Sequence, residues 1–159
     1  MEDCRLEKII KRVVEEAIVK EVMSLKLAVA LITAVEEKAG EMGVAVVTAV
    51  SDASGRPVAV HCMDGAYHGS FDVALQKTYT STAFQMSTQK LSGLCQPGGE
   101  LYGLQFSNQG RVMILGGGEP LMAGDTMIGA LGVSGGTAAQ DSELAAYGKA
   151  VLKEVIKCL

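Results

Sequence analysis

The chain has 159 residues, a formal net charge of −4, 48% apolar residues and 20% charged residues. That length supports one domain with a packed core, and the composition excludes a disordered chain. The acidic balance argues against a nucleic-acid partner, and 3 Phe, 4 Tyr and no Trp leave too few rings to stack on single strands.

Leu6, Ile9, Ile10, Val13, Val14, Ala17, Ile18 and Val22 recur at helical spacing and predict a first amphipathic helix. The pattern restarts near Ser24, where Leu27, Ala28, Leu31, Ile32, Val35, Ala39 and Met42 predict a second helix ended by Gly43. The period then becomes that of a strand. Val44 to Val50 reads as a buried strand, Ser51 to Gly55 as a turn, and Pro57 to Cys62 as the antiparallel partner strand. In that partner strand Val58, Val60 and Cys62 share one face, and Ala59, His61 and Met63 the other. Asp64-Gly65 is the next turn. Ser70 is the expected N-cap of a hydroxyl-rich helical stretch reaching Leu91, as one helix or two, with Asp72 in the first turn.

Ser92 to Gly110 reads as loop, and Arg111 to Leu115 as a third strand broken by Gly116–Gly118 and Pro120. Gly124-Asp125 signals a hairpin turn before a strand at Met127 to Val133, whose Gly129 and Gly132 imply close approach of another segment. Thr137 and Gln140 spell a capping box that opens a last helix, with Leu144, Tyr147, Val151, Leu152, Val155 and Leu159 on one stripe. This order is not a regular βαβ alternation. It predicts an α+β single domain, an antiparallel sheet flanked by helices.

The longest nearly apolar run, Leu27 to Val35, is too short to span a membrane, and the N-terminus shows no signal-peptide pattern. Cys4, Cys62, Cys95 and Cys158 form no C-x-x-C pair, which excludes a zinc ribbon and fits free thiols in the cytoplasm. The glycines match neither a dinucleotide fingerprint nor a P-loop. Gly135-Gly136 ahead of a capped helix offers backbone N–H groups to an anion, or is simply a tight turn. Both histidines of the chain, His61 and His68, lie within one eight-residue segment with Cys62, Met63, Asp64 and Tyr67. They are candidate metal or haem ligands; the plainer alternative is one half-buried strand histidine and one exposed loop histidine. Lys77, among threonines, is either a desolvated base or anion partner, or an exposed lysine. No catalytic triad or carboxylate pair is legible, so enzymatic activity stays open.

Several blocks in order carry a resemblance: Val50-Ser51-Asp52-Ala53-Ser54-Gly55-Arg56-Pro57-Val58-Ala59, Met63-Asp64-Gly65-Ala66, Ser70-x-Asp72-x-Ala74-x-x-Lys77-x-x-Thr80, Gly118-Glu119-Pro120-Leu121, and Ile128 through Gly136, then Asp141. Together they resemble the haem-degrading, GlcG/HbpS-like family, which includes the C-terminal domain of PduO-type adenosyltransferases. The resemblance spans residues 25–158, so residues 24–159 are expected to be the family domain and 1–23 an additional N-terminal helix.

The resemblance implies a profilin- or PAS-like sheet, homo-oligomers from tetramer to octamer, and binding of haem or a corrinoid. Its haem-binding members resembling PduO use an axial histidine early in the chain, whereas no histidine precedes His61 here. That leaves His61, His68 or Thr80 as ligand candidates, with Met63, Asp64, Lys77, Gly135 and Gly136 as possible neighbours of a cofactor. The residue before Met63-Asp64-Gly65-Ala66, commonly Arg, is Cys62. Two other functions compete: binding or turnover of a small anionic metabolite by Lys77, Asp64, Asp72 and the Gly135-Gly136 turn, and a purely structural assembly subunit.

Overall fold

The computed structural model describes residues 22–159. The helix expected over 6–22 and the N-terminal segment 1–23 fall almost wholly outside the described residues.

Helix α1 spans Leu25–Glu41. Ser24 caps it by accepting from the Leu27 amide at 3.1 Å, and Leu27, Leu31, Ile32 and Val35 make its buried stripe. The chain reverses at Gly43, whose φ of 67° suits glycine, and Val44 N donates back to Ala39 O. Strand β1 (Val47–Asp52) and strand β2 (Pro57–Cys62) form the expected hairpin. Asp52 Oδ1 closes its turn by accepting from the amides of Ser54 and Arg56 at 2.9 and 3.0 Å. Helix α2 (Ser70–Phe84) and the short helix α3 (Thr88–Leu94) follow. Strands β3 (Gly118–Ala123) and β4 (Thr126–Ser134) make a second hairpin, and helix α4 (Ala138–Cys158) closes the chain. The sheet order is β2-β1-β4-β3, with every neighbouring pair antiparallel. The α+β class and the antiparallel sheet flanked by helices are thus as the sequence predicts.

The two sheet faces are packed by different physics. On one face α1 and α4 bury Leu27, Leu31, Ile32, Val35, Leu144 and Leu152 against Val46, Val50, Leu131 and Val133. This is the main hydrophobic core, driven by removal of apolar area from water. On the other face α2 lies almost directly on backbone. The side chains between them are small, with Ala49 and Ala74 fully buried. A Cβ on Gly132 would collide with the carbonyl of Ala74, and one on Gly118 would stand 2.6 Å from Thr88 Cγ2 and 2.8 Å from Ser81 Oγ. Glycine is required at both because helix and sheet approach within side-chain distance.

Several element boundaries differ from the sequence reading. Strand β1 begins at Val47, not Val44, because its ladder to Ser134 and Cys62 starts there. Ser70 is the first helical residue of α2 rather than its cap; Gly69 holds that position without a side-chain bond. The helical stretch breaks at Gln85, with φ 52°, and Ser87 caps α3 by accepting from Lys90 N. No strand forms over Arg111–Leu115. The segment expected to break that strand, Gly118 with Pro120, is itself β3. Pro120 is tolerated because β3 is an edge strand, where a missing N–H costs no ladder bond. The capping box is present as expected: Gln140 N donates to Thr137 Oγ1, and Thr137 N to Gln140 Oε1. No helix among the described residues is long and apolar enough to cross a membrane.

Candidate functional site

Lys77 lies on the buried side of α2 and is only 1% exposed. Its Nζ donates to Asp141 Oδ2 at 2.9 Å and to Val133 O at 2.6 Å. Asp141 sits in the first turn of α4, where the helix dipole favours a carboxylate, and its Oδ1 accepts from Gly136 N at 2.9 Å. Burial pushes the Lys77 ammonium below the usual lysine range, with Asp141 pulling in the opposite direction. Gly117, at φ 110°, makes room for the pair: a Cβ there would stand 2.9 Å from Lys77 Nζ and 2.6 Å from Val133 O. Lys77 therefore joins α2, the end of β4 and the start of α4.

At the Gly135-Gly136 turn two backbone donors are taken up within the chain. Gly136 N is held by Asp141, and Thr137 N by Gln140. Thr80 is also committed. It donates its hydroxyl to Gln76 O at 2.7 Å and accepts from Met113 N at 2.8 Å, which ties the 112–114 segment to α2.

The two histidines are placed differently. His61 is half-buried near the end of β2, on the face that carries α1, with Nδ1 3.2 Å from Glu36 Oε1. A carboxylate on Nδ1 orients the ring and leaves Nε2 outside that contact. His68 is exposed in the loop before α2, which packs on the opposite face. Closeness in sequence thus becomes no shared face, and among the described residues no group of three or more His, Cys, Asp or Glu side chains could hold a metal ion. Met63 packs partly against the main core, whereas Asp64 is exposed.

Two clefts open beside these elements. The larger, of about 520 Å³, is lined by Gly43, Val44, Ala45, Gly65, Tyr67 and the Gly135–Thr137 turn with Gln140. Tyr67 stands 74% exposed at its edge, followed in the chain by exposed His68 and by Phe71, 42% exposed. The smaller, of about 200 Å³, is lined by Gly55, Pro57, Asp72, Leu75, Gln76, Tyr79 and Arg111. Lys77 and Asp64 line neither, and of these two clefts the glycine turn lines the larger and Asp72 the smaller. The sequence reading did not single out Glu36 or Arg111, since each acquires a partner only through tertiary contact.

The chain is thus an α+β domain with a four-stranded antiparallel sheet, helices on both faces and a buried lysine–aspartate pair. The family model described as "Haem degrading protein HbpS-like" matches residues 23–150, and the chain belongs to that family. Its structure is similar to that of Klebsiella pneumoniae ORFY, with a TM-score of 0.80 and 39% identity, covering 86% of this chain and 92% of that one. It is similar to the PduOC:heme complex, with a TM-score of 0.78 and 36% identity, covering 81% and 94%. The sequence is 38% identical over 115 residues to the corrinoid adenosyltransferase PduO of Salmonella typhimurium, covering 72% of this chain but only 34% of that protein. The resemblance drawn from the sequence blocks is thereby confirmed.

Proposed function

We propose that this chain binds haem at the rim of the larger cleft, with His68 as the iron ligand and Tyr67 and Phe71 as flanking rings. The observation that carries the reading is the exposed Tyr67–His68–Phe71 run beside a 520 Å³ cleft. An imidazole flanked in the chain by exposed rings presents a nitrogen ligand beside aromatic surface, which suits a flat macrocycle. Membership in a family described as haem degrading, and similarity to a protein solved with haem, support the choice of ligand. Met63, Asp64, Gly135 and Gly136 lie on or next to the same cleft edge in the chain. Lys77 and Thr80 act through α2 rather than by touching the macrocycle, and His61 is the second candidate ligand. A corrinoid is the competing disc-shaped ligand.

Hemin titration of the apo-protein tests this. A Soret shift is expected at micromolar protein, lost in His68→Ala and kept in His61→Ala. No shift, or a shift unchanged in the His61→Ala/His68→Ala double variant, overturns the reading. Cobalamin in place of hemin separates the corrinoid.

The same reading includes self-association in the cytoplasm. Exposed Tyr102, Phe106 and Leu115 offer apolar contact area to a second copy, and the thiols of Cys62, Cys95 and Cys158 are free, as a reducing compartment would keep them. Sedimentation velocity, with Phe106→Ser as the variant, reads the assembly.

A further inference from the structure

The smaller cleft has the features of a second, independent binding site. Asp72, Leu75, Gln76 and Tyr79 form one stripe on the outer side of α2, at i, i+3, i+4 and i+7. Gly55 and Pro57 from the β1–β2 hairpin make the facing wall, and Arg111 closes one end. The Arg111 guanidinium carbon lies 3.9 Å from the centroid of the Tyr79 ring. The ring is itself held, because Asn108 Nδ2 donates to its hydroxyl at 2.8 Å. Stacking fixes the plane of the guanidinium and leaves its N–H edge open, the geometry that grips a carboxylate by two parallel hydrogen bonds. Gly55, with φ 78°, lets the hairpin tip come this close: a Cβ there would stand 2.9 Å from Thr82 Oγ1 and 3.8 Å from Tyr79 Cδ2.

At the other end Asp72 is exposed in the first turn of α2. Tyr79 and Asp72 are two helical turns apart, about 10 Å along the axis. Among the described residues neither Arg111 nor Asp72 takes part in an ion pair. One cleft thus carries an open positive group at one end, an open negative group at the other, and Leu75 with Pro57 between them.

We propose that this cleft binds a small zwitterion of the amino-acid type, its carboxylate on Arg111, its ammonium on Asp72 and its methylenes over Leu75 and Pro57. The cleft, of about 200 Å³, has room for a small molecule only. The apolar stretch of Leu75 and Pro57 between the two ends favours an ω-amino acid, whose methylenes it would cover, over an α-amino acid.

The test is isothermal titration of the intact protein with glycine, β-alanine, γ-aminobutyrate and δ-aminovalerate, with butyrate and butylamine as singly charged controls. The longer zwitterions should bind, and glycine, butyrate and butylamine should bind at least about tenfold more weakly. Arg111→Gln and Asp72→Asn, both surface substitutions, should each weaken the longer zwitterions about tenfold or more, with the hemin titration unchanged. Absence of binding by every zwitterion at millimolar concentration overturns the proposal. So does glycine binding as tightly as the longer members, or full affinity in Asp72→Asn.

Discussion

Lys77 Nζ and Asp141 Oδ2 lie 2.9 Å apart, both side chains almost wholly removed from water. The pair spans from the middle of one helix to the first turn of another. Its residue types were legible in the sequence, but not its partnership, because 64 positions separate the two. Within the described residues the lysine donates to Asp141 and to Val133 O, and it lines neither of the two clefts described above.

Removing one partner should cost far more than removing both. Lys77→Met or Asp141→Leu alone leaves a charge buried without its counterpart, a loss of about 3–5 kcal/mol. The double variant leaves no stranded charge and should recover most of that loss. Urea unfolding of the four proteins measures it, and a double variant as weak as the sum of the singles would contradict the account.

The same lysine gives a pH signature. Its folded pKa is depressed by burial from the ordinary 10.5, so between the folded value and 10.5 the unfolded chain holds more protons than the folded one. Stability relative to Lys77→Met should therefore rise as pH climbs toward 10.5, and stay constant below the folded value. A falling difference over that range would show that the Asp141 attraction outweighs desolvation. Paired denaturation curves at alkaline pH provide the readout.

Two glycine-to-alanine changes should act in opposite directions. Gly40 lies in α1 with nothing within 4 Å of a built Cβ, so Gly40→Ala should stabilise by about 0.5–1 kcal/mol through helix propensity. Gly132→Ala drives a methyl into the Ala74 carbonyl and should destabilise by about 1–3 kcal/mol as α2 lifts from the sheet. Thermal unfolding of both variants distinguishes them.

Thiol labelling should follow exposure. Cys62 and Cys158 are exposed, whereas Cys95 is buried with Leu91 and Val112, and burial raises its thiol pKa. Peptide mapping after brief treatment with a maleimide should find Cys62 and Cys158 modified and Cys95 protected until denaturant is added. Early modification of Cys95 would mean that the Leu91–Val112 cluster opens readily.

The elements read best from sequence are those with local causes. The helix from Leu25, the hairpin at Asp52–Arg56 and the Thr137–Gln140 capping box each follow from neighbouring residues. The third strand was misplaced because the apolar run Arg111–Leu115 has strand composition but no ladder partner, whereas Gly118–Ala123 looks broken yet pairs with β4. At the candidate site, His61 and His68 were visible as residues, but the sheet between their two faces was not. Glu36 and Arg111 were missed because their partners, His61 and Tyr79, lie on other elements.

The contrast between the sheet faces has an evolutionary consequence. The α1–α4 side is a volume constraint, so Leu, Ile, Val and Met can trade places there while the sum is kept. The α2 side is a constraint on single atoms: at Gly132 a larger side chain would meet the Ala74 carbonyl, and no compensating change nearby can shrink a carbonyl. Drift should therefore accumulate on one side of this sheet and stall on the other, leaving a lopsided record of ancestry within a single domain.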